Sequence, residues 1–104
     1  MAYKLIITNE GEDRIDSHIQ HLLFKLSNES AAIHFLNSID LLYKIIEDNP
    51  YVYAISKDAL LASMGYHEAT FPDMNYKLIY RIEDDVVYVM GVFNDLENHV
   101  DKLR

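Results

Sequence analysis

Three side chains in the second half of the chain could contribute to a basic patch or to proton transfer. Lys77 and Arg81 lie four residues apart in an alternating segment, so they share one face if that segment is a strand. Together they would form a small basic patch on that face. His67 has the side chain that titrates nearest neutrality and is a candidate general acid or base. The competing interpretation for all three is a solvated strand surface without a catalytic role.

A second pair of candidate residues lies near the N-terminus. His18 and His21 are three residues apart, which places them on one side of a helix, where they could begin a metal site. Two ligands do not make a site, and a third would have to come from Asp16, Asp40 or elsewhere. We therefore interpret the pair as solvated histidines and predict no metal and no cofactor.

Composition restricts the classes of function. The 104 residues include 9 Lys and Arg against 17 Asp and Glu, a net charge of -8, and no cysteine. A field of this sign opposes binding to nucleic acid, so any phosphate-facing site has to be local. The length predicts a single domain over residues 1–104. No apolar run is long enough for a signal peptide or a membrane span, so we predict a cytoplasmic protein without a membrane partner.

The N-terminal half has a strand pattern followed by two helical patterns. Residues 3–8 are mostly apolar or β-branched and predict a strand, with Asn9 as the N-cap of the helix that follows. Apolar residues then recur with helical spacing up to Leu26 and again from Ala32 to Ile46, and Asn49-Pro50 ends the second run. Since the link between the two runs is short, we expect an antiparallel helical hairpin from Glu12 to Asp48.

After Gly65 the apolar period changes from helical to alternating. Residues 66–71, 76–83 and 86–93 predict three strands, and residues 59–64 fit either a helical turn or a strand. In the second strand Tyr76, Leu78, Tyr80 and Ile82 should face the hairpin, which leaves Lys77, Ile79, Arg81 and Glu83 on the opposite face. Leu96, Val100 and Leu103 predict a short C-terminal helix. The fold class is therefore α+β: an antiparallel sheet of about four strands in the order β-α-α-β-β-β, with the N-terminal strand joined to the C-terminal meander.

Three segments carry a family resemblance that extends from Tyr3 to about Asn98. They are YKLIIT, ESAAIHFLNSIDLLYKIIEDNPYVY and MGYHEATFPDMNYKLIYRIEDDVVYVMGVFNDLEN. Together they resemble the RelE/ParE superfamily, the small toxins of type II toxin–antitoxin systems, which include plasmid stabilisation proteins. The resemblance implies a twisted sheet with the hairpin on one face and a concave surface on the other. It also implies a cognate antitoxin as partner. Antitoxins are often acidic, so we expect contacts with this chain to be more apolar than usual.

The same resemblance shows where this chain departs from members that cleave mRNA on the ribosome. Those members line the concave surface with Lys and Arg, whereas this chain has Lys77 in place of the commoner Arg, His67 and Ala69 at other basic positions, and Asp95 where a cation is usual. We therefore predict a toxin-like protein with weak or absent ribonuclease activity. Any residual activity would use Lys77 as a phosphate contact and His67 as a proton donor, with Arg81 in support.

Other functions remain open on these residues. The chain could be an active toxin, either an endoribonuclease of the RelE type acting on ribosome-bound mRNA or a topoisomerase inhibitor of the ParE branch. It could instead pair with a copy of itself as a homodimer, or be an unrelated acidic protein-binding domain. The residues alone do not decide whether the chain is an enzyme.

Overall fold

The computed structural model describes residues 3–94, which form one sheet packed against helices. In chain order the elements are β1 (Lys4–Ile7), α1 (Asn9–Gln20), a π-helical turn (His21–Lys25), α2 (Glu29–Asp48), α3 (Ala59–Ser63), β2 (Tyr66–Thr70), β3 (Tyr76–Glu83) and β4 (Val86–Asn94). The α+β class and the predicted element order are confirmed, and the segment left open at residues 59–64 is helical. The predicted C-terminal helix lies outside the described residues.

The four strands form a single sheet in the order β1-β4-β3-β2. The β2–β3 and β3–β4 pairs are antiparallel, but β1 pairs parallel to β4, with Lys4 opposite Val86 and Ile7 opposite Val89. The N-terminal strand therefore joins the meander as expected, but the sheet is mixed rather than wholly antiparallel. Alternation within β1 predicts which of its faces is apolar. It does not predict whether β1 runs parallel or antiparallel to its neighbour, because that neighbour, β4, is about 80 residues away in the chain.

The helical hairpin has well-defined ends. Thr8, and not the expected Asn9, is the N-cap of α1, since its hydroxyl accepts a hydrogen bond from the Gly11 N–H at 3.0 Å. The Asn28 side chain caps α2 by accepting from the Ala31 N–H at 3.0 Å. Between them the first helical run closes in the π-helical turn. The hairpin thus follows the predicted course, with a change of helix type in its last turn.

The sheet is covered on both faces. The main core lies under the hairpin and includes Ile15, Phe35, Leu42 and Ile46 from the helices and Tyr76, Leu78, Tyr80, Val87, Val89 and Val92 from β3 and β4. On the other face Leu61 of α3 packs with Tyr66, Ile79 and Phe93. The predicted division of β3 into two faces is confirmed, because Ile79 is in the second cluster and its even-numbered neighbours are in the first.

An irregularity in β4 lets α1 approach the sheet. The β3–β4 register shifts between Ile79 and Tyr80, so that Met90 has no partner on β3, and Gly91 has a φ of 142°. The Arg14 Nη1–H donates to the Met90 carbonyl and the His18 Nε2–H to the Val92 carbonyl, both at 2.8 Å. Side chains of α1 therefore satisfy carbonyls on the part of β4 that β1 is too short to reach.

The loop between α2 and α3 closes the other edge of the sheet. The Ser56 N–H donates to the Tyr66 carbonyl at 2.8 Å, and the Glu68 N–H donates to the Ala54 carbonyl at 3.3 Å. The Tyr80 hydroxyl fixes the start of the loop by donating to the Pro50 carbonyl at 2.6 Å. This segment covers part of the outer edge of β2, which would otherwise present unpaired backbone groups.

Candidate functional site

The sheet face opposite the hairpin carries two of the three predicted site residues. Lys77 and Arg81 are on β3, and the strand register places Thr70 and Tyr66 of β2 directly opposite them. Because residues four apart in a strand point to the same side, the two cations share this face. The structure therefore places Lys77 and Arg81 on the same face of the sheet, as the sequence predicts.

Lys77 is held by an acid of the neighbouring strand. Its Nζ lies 3.0 Å from Oε1 of Glu68, and the two side chains are only 20% and 15% exposed. The pair borders a shallow cavity of about 150 Å³, also lined by Thr70 and by Ala54, Ile55 and Lys57 of the loop. The charge of Lys77 is thus compensated within the fold before any phosphate could reach it.

Arg81 is engaged in a similar way. Its Nη1–H donates to Oε2 of Glu83, two residues along the same strand, and its guanidinium carbon lies 4.4 Å from the centre of the Tyr88 ring. A guanidinium stacked on an aromatic ring and bonded to a carboxylate has fewer free N–H groups for a phosphate. Lys77 and Arg81 are therefore each paired with a glutamate.

His67 lies on the other face of the sheet. It is directly opposite Tyr80 in the register, and the two rings are stacked with their centres 5.3 Å apart. Its Nδ1–H donates to the Tyr53 carbonyl at 2.9 Å, which leaves Nε2 as the acceptor of the neutral ring. The structure does not bring His67 together with Lys77 and Arg81, so a shared active site would have to reach across the sheet.

His18 and His21 lie in different surroundings, so the interpretation of both as solvated histidines is wrong for His18. His18 bonds the Val92 carbonyl and packs against Tyr76, whose ring centre is 5.0 Å away, whereas His21 is exposed in the π-helical turn. Within residues 3–94 no group of three or more metal-ligating side chains could hold an ion.

A second concave feature, the interhelical groove, was missed by the sequence analysis. It is a cavity of about 290 Å³ between α1 and α2, with the aliphatic residues Ile7, Ile15, Leu36 and Ile39 and the polar residues Glu12, Asp16, Asp40 and Tyr43. Burial and the charges of Asp40 and Glu12 raise the pKa of Tyr43 to about 12. The sequence signal was present, because Glu12 and Asp16 are four residues apart on α1, but it also fits favourable charges at a helix N-terminus.

Comparison with solved structures identifies the architecture. A chain of the chromosomal ParDE toxin–antitoxin system from P. aeruginosa superposes with a TM-score of 0.72 at 13% identity, covering 89% of this chain and 96% of the other. A double mutant of the E. coli toxin RelE in the free state gives 0.67 at 14% identity, covering 98% and 93%. The RelBE2 toxin–antitoxin complex from Mycobacterium tuberculosis gives 0.62 at 16% identity, covering 90% and 92%. The chain has the RelE/ParE toxin fold.

Sequence comparison adds no closer relative. No protein-family model matches the chain, and no curated protein matches it either. The assignment to the RelE/ParE fold therefore rests on the similarity of the backbone to these solved structures. No helix among residues 3–94 has the length and hydropathy needed to cross a membrane.

Two further positions bear on the RelE/ParE comparison. Ala69, which the sequence analysis expects at a basic position of the cleaving members, is fully buried in the core beneath the hairpin. A cation at Ala69 would point away from Lys77, so this position cannot contribute to a site on the Lys77 face. Asp95, the other substituted position, lies outside the described residues.

Proposed function

We propose that this chain is the toxin-like component of a type II toxin–antitoxin system, of the kind that stabilises plasmids. It binds a cognate antitoxin in the cytoplasm and has weak or absent ribonuclease activity. The RelE/ParE fold supports the class, because the neighbouring structures include a ParDE system and a RelBE2 toxin–antitoxin complex.

One observation carries the part of the proposal that concerns activity. Each cation of the candidate site is bound to a glutamate on the same face, Lys77 to Glu68 and Arg81 to Glu83. Cleavage of an RNA phosphodiester by such a site depends on preorganised positive charge at the reacting phosphate. Loss of a single donor typically costs about 10²–10³ in rate, so compensating two cations should reduce cleavage severely.

The test is a ribosome-dependent cleavage assay on a defined message, with the wild type and Lys77→Ala compared. We expect little cleavage by either protein. Robust cleavage by the wild type that Lys77→Ala abolishes would overturn the proposed inactivity and would identify an active RelE-type endoribonuclease.

A second test addresses the antitoxin. The chain is expressed by induction with and without the protein encoded by the neighbouring open reading frame, and growth and mRNA integrity are followed. We expect the neighbouring protein to co-purify with the chain. Growth arrest with intact mRNA would favour inhibition of a topoisomerase by binding, whereas failure to co-purify would contradict the antitoxin partner.

A further inference from the structure

The segment that runs along the outer edge of β2 has mostly exposed side chains. We call residues 51–57 the edge strap. Five of its seven side chains are exposed, among them Tyr51 at 61% and Val52 at 54%. Its backbone bonds β2 only around the isolated bridge between Ile55 and His67. Segments with few buried contacts are those that open locally while the rest of a protein stays folded.

Two ring side chains of the sheet fasten the first half of the edge strap. The His67 Nδ1–H donates to the Tyr53 carbonyl at 2.9 Å, and the Tyr51 ring meets the His67 ring edge-on with the centres 6.1 Å apart. Immediately before the strap, the Tyr80 hydroxyl donates to the Pro50 carbonyl at 2.6 Å. The strap is therefore held largely by side chains of β2 and β3 rather than by a continuous strand ladder.

The edge strap forms one wall of the cavity beside the Lys77–Glu68 pair. Ala54, Ile55 and Lys57 of the strap line this cavity together with Glu68, Thr70 and Lys77 of the sheet. Its volume of about 150 Å³ is well below the roughly 300 Å³ at which small-molecule pockets begin. Displacing the strap would remove a wall and widen the cavity on the side of β2.

Both ends of the edge strap are fixed by caps of the neighbouring helices. The Asn49 Oδ1 at the end of α2 accepts from the Tyr51 N–H at 3.1 Å. The Asp58 Oδ1 at the start of α3 accepts from the Leu60 and Leu61 N–H groups, both at 3.0 Å. These bonds do not involve β2, so they can persist when the strap leaves the sheet edge.

We propose that the edge strap is a lid over the Lys77–Glu68 cavity, which opens between Asn49 and Asp58 while the sheet and the hairpin stay folded. Opening breaks the bonds to β2 and widens the cavity. A ligand that fits only the wider cavity binds only open chains, so its apparent affinity is reduced by the fraction of chains that are open. The lid is built into this fold and depends neither on an antitoxin nor on ribonuclease activity.

Cysteine labelling tests the lid directly. The chain has no cysteine, so a single introduced thiol reports opening at its own position. Ser56 in the strap and Ser38 in α2 are matched sites, because they are 4% and 5% exposed. Ser56→Cys and Ser38→Cys are each treated with a chromogenic disulfide reagent at increasing urea, and global unfolding of both variants is measured in parallel.

We expect Ser56→Cys to be labelled at least about 30-fold faster than Ser38→Cys in the absence of urea, because local opening is easier than global unfolding. The rate for Ser56→Cys should change little at low urea, since opening the strap exposes little surface, whereas labelling of Ser38→Cys should rise with global unfolding. Equal rates for the two thiols, or a rate for Ser56→Cys that follows global unfolding, would overturn the proposal.

The side-chain fastening is tested with His67→Phe, which keeps a ring against Tyr80 but removes the N–H that bonds Tyr53. His18→Phe is the control, because it removes a similar bond to the Val92 carbonyl near the opposite edge of the sheet. With the thiol in the strap, His67→Phe should speed labelling by about five- to ten-fold and His18→Phe by less than about two-fold. Equal effects of the two variants would contradict the fastening.

Hydrogen exchange of the unmodified chain gives a measurement that no substitution can disturb. The Glu68 N–H bonds the Ala54 carbonyl of the strap, so it should exchange at least about 100-fold faster than the paired amides between β3 and β4. Exchange of the Glu68 amide as slowly as those central amides would show that the strap leaves β2 only when the sheet unfolds, and would overturn the lid.

Discussion

At the scale of single residues, the two ion pairs on the sheet face differ in their surroundings. Lys77 and Glu68 are 20% and 15% exposed and come from neighbouring strands, whereas Arg81 and Glu83 are 34% and 60% exposed and are two residues apart. Water screens the second pair more strongly than the first, and a screened surface pair contributes little to stability. The Lys77–Glu68 pair should therefore be the stronger one.

Double-mutant cycles to alanine measure this difference. We expect a coupling free energy of about 1–2 kcal/mol for Lys77 with Glu68, obtained from urea unfolding of the two single variants and the double variant. The Arg81–Glu83 cycle is the control and should give about 0–1 kcal/mol. Equal coupling in the two cycles would mean that burial of the first pair has no energetic consequence.

Tyr43 provides a pH-dependent test of the groove at the same scale. Its pKa is raised from 10.0 to about 12, first by burial and then by Asp40 and Glu12. The folded chain holds this proton more tightly than the unfolded chain, so the resulting stability is present below pH 10 and is lost as the pH rises towards 12. We expect Asp40→Asn to lower the pKa of Tyr43, as read from tyrosinate absorbance with Tyr43→Phe as the reference. An unchanged pKa would show that Asp40 does not act on Tyr43.

At the scale of elements, the contact between α1 and β4 depends on a glycine within the helix. A Cβ at Gly11 would lie 2.7 Å from the Val89 carbonyl oxygen and 3.0 Å from the Thr8 hydroxyl. The first of these is a backbone atom that cannot move without disturbing the sheet. The helix can therefore approach β4 this closely only because position 11 has no side chain.

The Gly11→Ala variant tests this requirement, because the free energy of unfolding should fall where an ordinary helix position would show a rise. In an ordinary helix interior the substitution stabilises by about 0.5–1 kcal/mol, but here we expect a loss of about 1–3 kcal/mol from overpacking. Urea unfolding measures the free energy, with Ser17→Ala on the exposed side of α1 as the control. A stabilised Gly11→Ala protein would show that α1 can shift away from β4 without cost.

The strands also show which features of the fold local sequence patterns can predict. The two faces of β3 follow from alternation alone, because each residue's side is fixed by its parity once the segment is a strand. The direction of β1 and the position of His67 relative to Lys77 depend on pairings between distant segments, which no local period encodes. The same limit applies to Glu68, whose contact with Lys77 requires the β2–β3 register. The residue types and the shared face of Lys77 and Arg81 were therefore predictable, but their glutamate partners and the face of His67 were not.

At the scale of the whole molecule, the net charge and the local ion pairs both weaken the attraction to nucleic acid. The chain carries -8 overall, and Lys77 and Arg81 are each bound to a glutamate. Affinity for nucleic acid comes mainly from free Lys and Arg that displace counterions from phosphates. Neither the net charge of the chain nor these two paired cations therefore favour binding to RNA.

Binding of a labelled single-stranded RNA, followed by fluorescence anisotropy, tests this conclusion. We expect wild-type binding to be weaker than about 10⁻⁴ M at physiological salt, the weak limit of ordinary non-specific binding. Glu68→Gln/Glu83→Gln removes both carboxylates that engage Lys77 and Arg81, so it should bind more tightly at low salt and lose that gain as salt is added. A matched variant, Glu10→Gln/Glu12→Gln, makes the same change in net charge on α1 and should show a smaller gain. Micromolar binding by the wild type, or equal gains in the two variants, would mean that pairing with Glu68 and Glu83 does not restrain the cations of this face.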